Sequence, residues 1–168
     1  MTISMYEASA PRFANMLRNL SSILDKTLAH AAAKKIDPAV LLSGRLFPDM
    51  LPLLKQVQIA CDHAKGAVAR LAGAEVPKFE DKEQSFEELK ARIARTIAFV
   101  ESIGAERIDG SEEREIGLTA GGRDLKFKGM QYLLGYAMPN FHFHLVTAYN
   151  ILRHNGVELG KRDYIGTP

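Results

Sequence analysis

Four segments of the chain repeat large apolar residues at intervals of three and four, which is the period of an amphipathic α-helix. The apolar stripe of the first segment consists of Phe13, Leu17, Leu20, Leu24 and Leu28. Ser4 and Glu7 form the S-x-x-E pattern of an N-terminal capping box. Pro11 follows inside this segment, so the helix either kinks there or begins nearer Ser9. Pro38 disfavours the helical conformation of the residue before it and therefore predicts the end of the helix.

The second and third segments predict two more helices of this kind. The second helix is expected to begin near Pro48 and to end at Gly73, a residue suited to a left-handed cap. Its apolar face consists of Leu53, Val57, Ala60, Ala64, Val68 and Leu71. The alanines on this face predict close packing against a neighbouring helix. The third helix is expected to begin at Ser85, with Glu88 completing a second capping box, and to end at Gly104. Its apolar stripe consists of Phe86, Leu89, Ile93, Ile97 and Val100.

A short alternating stretch separates the third helix from the fourth. Ile116 and Leu118 alternate with small or polar residues, as do Leu125 and Phe127, and the sequence TAGG lies between the two pairs. This pattern predicts a β-hairpin with a loop of a few residues.

The fourth segment predicts a helix from about residue 130 to residue 155, interrupted by Pro139 and capped by Gly156. The tail that follows contains Tyr164 and Ile165 and is expected to pack across the other helices. Four amphipathic helices with one small hairpin before the last helix predict an all-α protein, an antiparallel four-helix bundle.

Composition narrows the classes of function. A chain of 168 residues with 25% charged residues is typical of one globular domain. A net charge of +2 without a dense Lys/Arg tract argues against a nucleic-acid partner. No apolar run reaches the length of a membrane span, and the start of the chain lacks a signal-peptide pattern, so we expect a cytoplasmic protein. The single cysteine, Cys61, excludes an intrachain disulfide and is expected to pack as a small apolar residue.

The stretch PNFHFH, residues 139 to 144, contains the histidine pair that most resembles a metal site. Residues two apart on a helix are separated by about 200° of rotation. His142 and His144 are therefore expected to face opposite sides of the last helix. Asn140, four residues before His144, lies on the same face as His144 and next to it. His144 is then either a hydrogen-bonded histidine at the edge of the core or a residue used in metal binding or catalysis.

The second helix offers candidate partners for His144. Gln56 and His63 are seven residues apart and so lie on one face. Asp62 either joins His63 as a metal ligand from a facing helix or forms an ordinary surface ion pair with Lys65, three residues away. The residues alone leave these alternatives open.

Three stretches of the sequence carry a family resemblance. They are MYEASAPRFANMLRNLSSILDK, PDMLPLLKQVQIACDHAKGAVARLAG and LKFKGMQYLLGYAMPNFHFHLVTAYNILRHNGVELGKRDYIG. Together they resemble a bacterial family of unknown function within the DinB/YfiT-like superfamily. The resemblance implies a single DinB-like helical-bundle domain over residues 1–168, often a homodimer.

The resemblance also implies the remains of a metal site. Members of the superfamily often bind a divalent metal through one histidine of the second helix and an H-x3-H pair of the last helix. The stretch LRHNG, residues 152 to 156, places His144 at the second position of that pair and Asn140 at the first. Gln56 or Gln58 corresponds to the remaining position, and His63 lies one or two turns further along. Amide oxygens are poor ligands for Zn²⁺ or Ni²⁺, which indicates a degenerate site.

Three functions remain open. The first is a binding module for a small molecule, with Asn140, His144, Gln56 and Tyr136 lining a pocket of the bundle. The second is a divalent-metal-dependent enzyme, a thiol transferase or hydrolase-like protein, with His144 and His63 as candidate ligands of Zn²⁺, Ni²⁺ or Mn²⁺. The third is a non-catalytic homodimeric interaction protein.

Overall fold

The computed structural model describes residues 3–166 and contains both predicted kinds of secondary structure. Within these residues the elements are α1 (Met5–Ala8), α2 (Ala10–Lys34), α3 (Pro38–Leu42), α4 (Leu53–Leu71), α5 (Phe86–Glu101), α6 (Ala105–Ile108), β1 (Glu115–Ala120), β2 (Arg123–Lys128), α7 (Gly129–Tyr132), a π-helical segment (Leu133–Ala137), α8 (Met138–His154) and α9 (Lys161–Ile165). The long elements are α2, α4, α5 and the continuous helix formed by α7, the π-helical segment and α8.

These four long helices form the predicted antiparallel bundle, and the fold class is confirmed. Helix α2 packs against α5, α5 against α4, and α4 against α8. The rings of Phe13 on α2 and Phe141 on α8 meet edge to face, with their centroids 4.9 Å apart, and so join the first helix to the last. The interior is filled by the predicted stripes, and Leu17, Leu20 and Leu24 are completely buried.

The helix starts follow the prolines and caps, with one correction. Ser4 caps only the short helix α1, and α2 begins at Ala10 with Pro11 in its first turn, which is the second of the two predicted starts. The predicted start of the second long helix near Pro48 is wrong, because α4 begins at Leu53. Pro52 disfavours the helical conformation at the residue before it, so the chain turns helical only after Pro52.

Helix α5 begins at the predicted position but ends earlier than predicted. Ser85 caps it by accepting a hydrogen bond from the backbone N–H of Glu88, at 3.2 Å. The helix ends at Glu101, three residues before the predicted stop at Gly104, because Gly104 serves as the N-cap of the separate short helix α6.

The predicted hairpin is present at the expected position. Strands β1 and β2 pair antiparallel, with Ile116 opposite Phe127 and Leu118 opposite Leu125. The turn residues Gly121 and Gly122 both have positive φ angles, +56° and +73°. Two successive residues of this kind make the tight turn that matches the twist of the strands, and only glycine adopts it without strain.

Pro139 does not break the last helix. The π-helical segment precedes it, and the backbone N–H of Met138 donates to the carbonyl of Leu133, five residues back. Such a wide turn accommodates a residue that does not fit the ordinary helical pattern, and it often lies at functional positions. The predicted interruption is therefore a local widening immediately before Pro139, and the helix continues to His154.

A buried arginine fastens the loop between α4 and α5. The side chain of Arg92 is 0% exposed, and its guanidinium binds Asp62 of α4 at 2.9 Å. It also binds Asp81 at 3.0 Å and Glu83 at 3.1 Å, both in the loop. Asp62 in addition pairs with Lys65 at 2.8 Å, which is one of the two alternatives left open by the sequence, although the Lys65 side chain is buried and not on the surface. A buried charge is tolerated only when it is paired in this way, so this network fixes the loop on the helices.

Residues 163–165 of the tail pack against the first long helix, as the apolar residues of the tail predict. The side-chain amide of Asn19 on α2 donates to the carbonyls of Tyr164 and Ile165, at 3.1 and 2.8 Å. Lys26 forms an ion pair with Asp163 at 2.7 Å. None of the helices within residues 3–166 combines the length and apolar character needed to cross a bilayer.

Replacing Phe141 by alanine is expected to lower the free energy of unfolding by about 3–5 kcal/mol, because it opens a cavity in the core beside Phe13. The matched control is Phe143→Ala, since Phe143 lies two residues further along the helix and is 56% exposed. That variant is expected to stay within about 0.5 kcal/mol of the unmodified protein. Urea denaturation measures both changes, and equal losses in the two variants would contradict the assigned faces of α8.

Candidate functional site

The two histidines of PNFHFH lie on opposite sides of α8, as their spacing predicts. His142 is exposed and its Nδ1 lies 3.2 Å from the hydroxyl of Tyr164, near the end of the chain. His144 is half-buried and faces α4, where its Nδ1 lies 2.8 Å from Oε1 of Gln56. The two imidazoles therefore belong to different surroundings, and only His144 joins the candidate residues of α4.

Gln56 determines which nitrogen of His144 carries the proton. The side chain of Gln56 is 2% exposed, and its amide nitrogen donates to the backbone carbonyl of Leu51 at 3.0 Å. This bond turns the amide oxygen toward His144. An amide oxygen only accepts hydrogen bonds, so Nδ1 of His144 is the protonated nitrogen and Nε2 carries the lone pair.

His63 and Tyr136 extend the site beyond His144. The imidazoles of His63 and His144 lie nearly parallel, 15° apart, with ring centroids separated by 5.7 Å. The ring of Tyr136 lies 6.0 Å from that of His63. We call the half-buried surface formed by Gln56, His63, Tyr136, Asn140 and His144 the histidine face.

Both imidazoles of the histidine face are neutral near pH 7. Burial, the neighbouring His144 and the charge of Arg70 lower the pKa of His63 to about 4. Burial also lowers the pKa of His144 below its ordinary value. Neutral imidazoles offer ring nitrogens that accept hydrogen bonds, which a protonated imidazole does not.

The side-chain amide of Asn140 forms a hydrogen bond with the backbone rather than with the imidazole of His144. Its amide nitrogen donates to the carbonyl of Tyr136 at 2.7 Å. Tyr136 belongs to the π-helical segment, so this bond ties the side chain of Asn140 to that segment. The amide nitrogen of Asn140 is thereby occupied within the protein.

The three-histidine set implied by the superfamily does not fit these residues. Gln56 and Asn140 stand at two of its three positions, and both amides are engaged within the protein. Gln58, the other candidate, binds Glu83 at 2.7 Å, away from His144. Across residues 3–166, no three side chains of His, Cys, Asp or Glu come together as a group able to hold a metal ion.

The predicted ligand residues are separate from the large cavities of the surface. One cavity of about 390 Å³ lies over the hairpin, and another of about 430 Å³ lies near His142. Neither is lined by His63, Tyr136 or His144. The residues predicted to line a pocket thus lie on a half-buried face between α4 and α8, and the pocket itself stays a prediction.

Sequence reasoning missed Arg70 and Tyr132, which continue the histidine face. Tyr132 stacks on Tyr136 with ring centroids 5.9 Å apart, and its hydroxyl accepts a hydrogen bond from Arg70 at 3.2 Å. The signal for Arg70 was present, because it follows His63 by seven residues and so returns to the same side of α4. Tyr132 carried no such signal, since its position depends on the π-helical segment.

The four-helix bundle, with its hairpin before the last helix, makes this chain a DinB-like protein. It is similar to the crystal structure of a DinB family member protein from Shewanella denitrificans, with 42% sequence identity and a TM-score of 0.88. The similarity covers 97% of this chain and 92% of that chain. The family model described as a domain of unknown function, DUF1993, matches residues 5–165, and the chain belongs to this family. No curated protein matches the chain. The homodimer stays a prediction.

Lowering the pH from 6.5 to 4 is expected to destabilise the protein through His63. In this window the unfolded chain protonates His63 at its ordinary pKa, whereas the folded chain, with a pKa of about 4, does not. The unfolded state therefore gains up to about 3 kcal/mol relative to the folded state. In urea denaturation at a series of pH values, the free energy of unfolding should fall less steeply for His63→Gln than for the unmodified protein. His154→Gln, at an exposed position of α8, is the control, and identical profiles for all three proteins would contradict the prediction.

Proposed function

We propose that this protein binds a small molecule on the histidine face, with Nε2 of His144 accepting a hydrogen bond from a hydroxyl or N–H group of the ligand. The observation that carries this proposal is the bond between Gln56 and His144. It holds the imidazole in one tautomer and one orientation, so the acceptor is prepared before the ligand arrives. Such preorganisation reduces the entropy lost on binding.

The rings near His144 favour a ligand that has a planar part. His63 and Tyr136 present partly exposed ring surfaces along α4 and the last helix, and the buried ring of Tyr132 stacks on Tyr136 from inside. Planar groups pack on such surfaces in offset or edge-to-face arrangements and remove apolar area from water. Small-molecule sites combine this kind of apolar surface with a few well-placed polar atoms, and here Nε2 of His144 is such an atom.

The arrangement of the side chains around the histidine face favours ligand binding over acid–base catalysis. Asp62 is the carboxylate next to His63 in the chain, but it is bound to Lys65 and Arg92. It is thus oriented toward α5 and not toward the imidazoles. Cys61 is completely buried and its burial raises the pKa of the thiol to about 12, so it serves as a packing residue and not as a nucleophile.

The neutral phenol 4-hydroxybenzamide is a direct probe of the proposed site. Its hydroxyl is expected to donate to His144 while its ring packs on Tyr136, and the imidazole NMR signals of His144 and of the neighbouring His63 should shift during titration, His63 being the reporter in the variant without His144. The variant His144→Ala is expected to bind about tenfold more weakly, because a hydrogen bond is lost. His142→Ala, which changes the histidine on the opposite side of α8, is the matched control. Equal affinity of all three proteins for the probe would refute the proposal.

A divalent-metal-dependent enzyme, a thiol transferase or hydrolase-like protein, is the second candidate. The observation in its favour is the closeness of the His63 and His144 rings, 5.7 Å between centroids. It has less support than ligand binding, because the superfamily uses three histidines. Elemental analysis of the untagged protein after incubation with Zn²⁺, Ni²⁺ or Mn²⁺ tests it. A stoichiometric metal that is lost in both His63→Ala and His144→Ala would favour the enzyme, and substoichiometric metal would count against it.

A further inference from the structure

The guanidinium of Arg70 lies at the end of the histidine face with its charge available. It is bonded to the hydroxyl of Tyr132 at 3.2 Å and lies 6.0 Å from the centre of the Tyr132 ring. Within residues 3–166 it forms no ion pair with a carboxylate, whereas Arg92 is bound to three. Among the described residues the guanidinium donates one hydrogen bond to another side chain, so further N–H groups are left for a ligand.

Gly66 allows this guanidinium to turn back toward His63. Gly66 is buried on α4, between His63 and Arg70 in the chain. A Cβ atom added there would lie 2.5 Å from Nη1 of Arg70, closer than a real Cβ approaches any atom. Glycine in a helix interior is unfavourable, and here it provides the space that the guanidinium occupies. The guanidinium therefore lies beside position 66, on the His63 side of Arg70 along the helix.

The electrostatic effect of Arg70 on its neighbour agrees with this arrangement. After burial and His144, the charge of Arg70 is among the causes that lower the pKa of His63. A positive charge that acts on His63 in this way also attracts a negative group brought to the same surface. Arginine is suited to planar or tetrahedral anions, because its N–H groups bind carboxylate and phosphate oxygens in pairs.

We propose that the ligand of the histidine face is an anion, with a carboxylate or phosphate group that binds Arg70 and a hydroxyl or N–H group that binds His144. The two polar ends are separated by a planar spacer about the size of one benzene ring, which lies against Tyr136. This inference rests on the proposed function and adds the chemical class of the ligand. Arg70 is the residue that determines the preference for the anion.

The test compares three probes that differ only at one end of the ring. They are 4-hydroxybenzoate, 4-hydroxyphenyl phosphate and the neutral 4-hydroxybenzamide, titrated into the full chain while the imidazole NMR signals of His144 are recorded. At least one anionic probe is expected to bind about tenfold more tightly than the neutral probe, because its bond to Arg70 is charge-assisted. The tighter of the two anionic probes distinguishes a carboxylate ligand from a phosphate ligand.

Variants of Arg70 assign the preference to this residue. In Arg70→Gln the anionic and neutral probes are expected to bind about equally, and continued binding of the neutral probe shows that the variant is folded. Arg70→Lys keeps the charge without the planar fork and should retain part of the preference, which provides a second test if the glutamine variant does not fold. The control is Arg95→Gln, because the Arg95 guanidinium lies 3.8 Å from the Phe79 ring centre, apart from the histidine face.

The outcomes separate the two proposals. If the anionic and neutral probes bind the unmodified protein equally, or if the preference survives in Arg70→Gln, the anion inference is overturned and the proposed function stands. If none of the probes shifts the signals of His144, the proposed function fails and the inference fails with it.

Discussion

The close packing of α4 against both of its neighbours is the constraint on which the rest of the structure depends. Helix α4 lies between α5 and α8 and contacts both. Its completely buried residues are therefore mostly small, and include Ala60, Cys61, Ala64 and Ala67. Small residues let helix backbones approach one another, so the longer side chains Gln56 and His63 reach across to His144. With larger residues at these positions, the helices would stand too far apart for the bond between Gln56 and His144.

Two adjacent residues of α4 point toward different neighbouring helices. Asp62 points toward α5 and completes the buried pairing of Arg92, at 2.9 Å. His63 comes next in the chain and points toward α8, where its ring lies beside His144. One step along a helix is a rotation of about 100°, which is enough to place the two side chains against different neighbours. The charged network thus fastens a loop on one side, while neutral imidazoles remain on the other.

The two arginines of this part of the bundle have opposite roles for the same reason. Arg92 is completely buried, and its charge is matched by carboxylates from α4 and from the loop. Arg70 lies closer to the surface, and its guanidinium is bonded to a tyrosine hydroxyl. A buried charge must be paired within the protein, whereas a partly exposed charge is solvated and can bind an anion from solution. The difference in burial makes Arg92 part of the scaffold and Arg70 a candidate for binding.

The sequence by itself determined the four helices, the hairpin and the side of α8 on which each histidine lies. These features depend on local rules: the helical period, the two-residue alternation and the backbone limits of proline and glycine. The wrong start near Pro48 shows that those rules must be applied to both prolines, since either can precede a helix but Pro52 disfavours the helical conformation of the residue before it.

Only the tertiary structure decided what His144 contacts. For the remaining ligand position implied by the resemblance, the sequence left Gln56 and Gln58 as alternatives, and their side chains have different partners, His144 of α8 and Glu83 of the loop after α4. It also left the role of Asn140 open, because the π-helical turn that occupies its amide nitrogen is not visible in the apolar pattern. Arg70 carried a periodic signal, but its place beside the rings depends on Tyr132 of another helix. Contacts between residues far apart in the chain depend on how helices pack, and periodicity within one helix does not specify that packing.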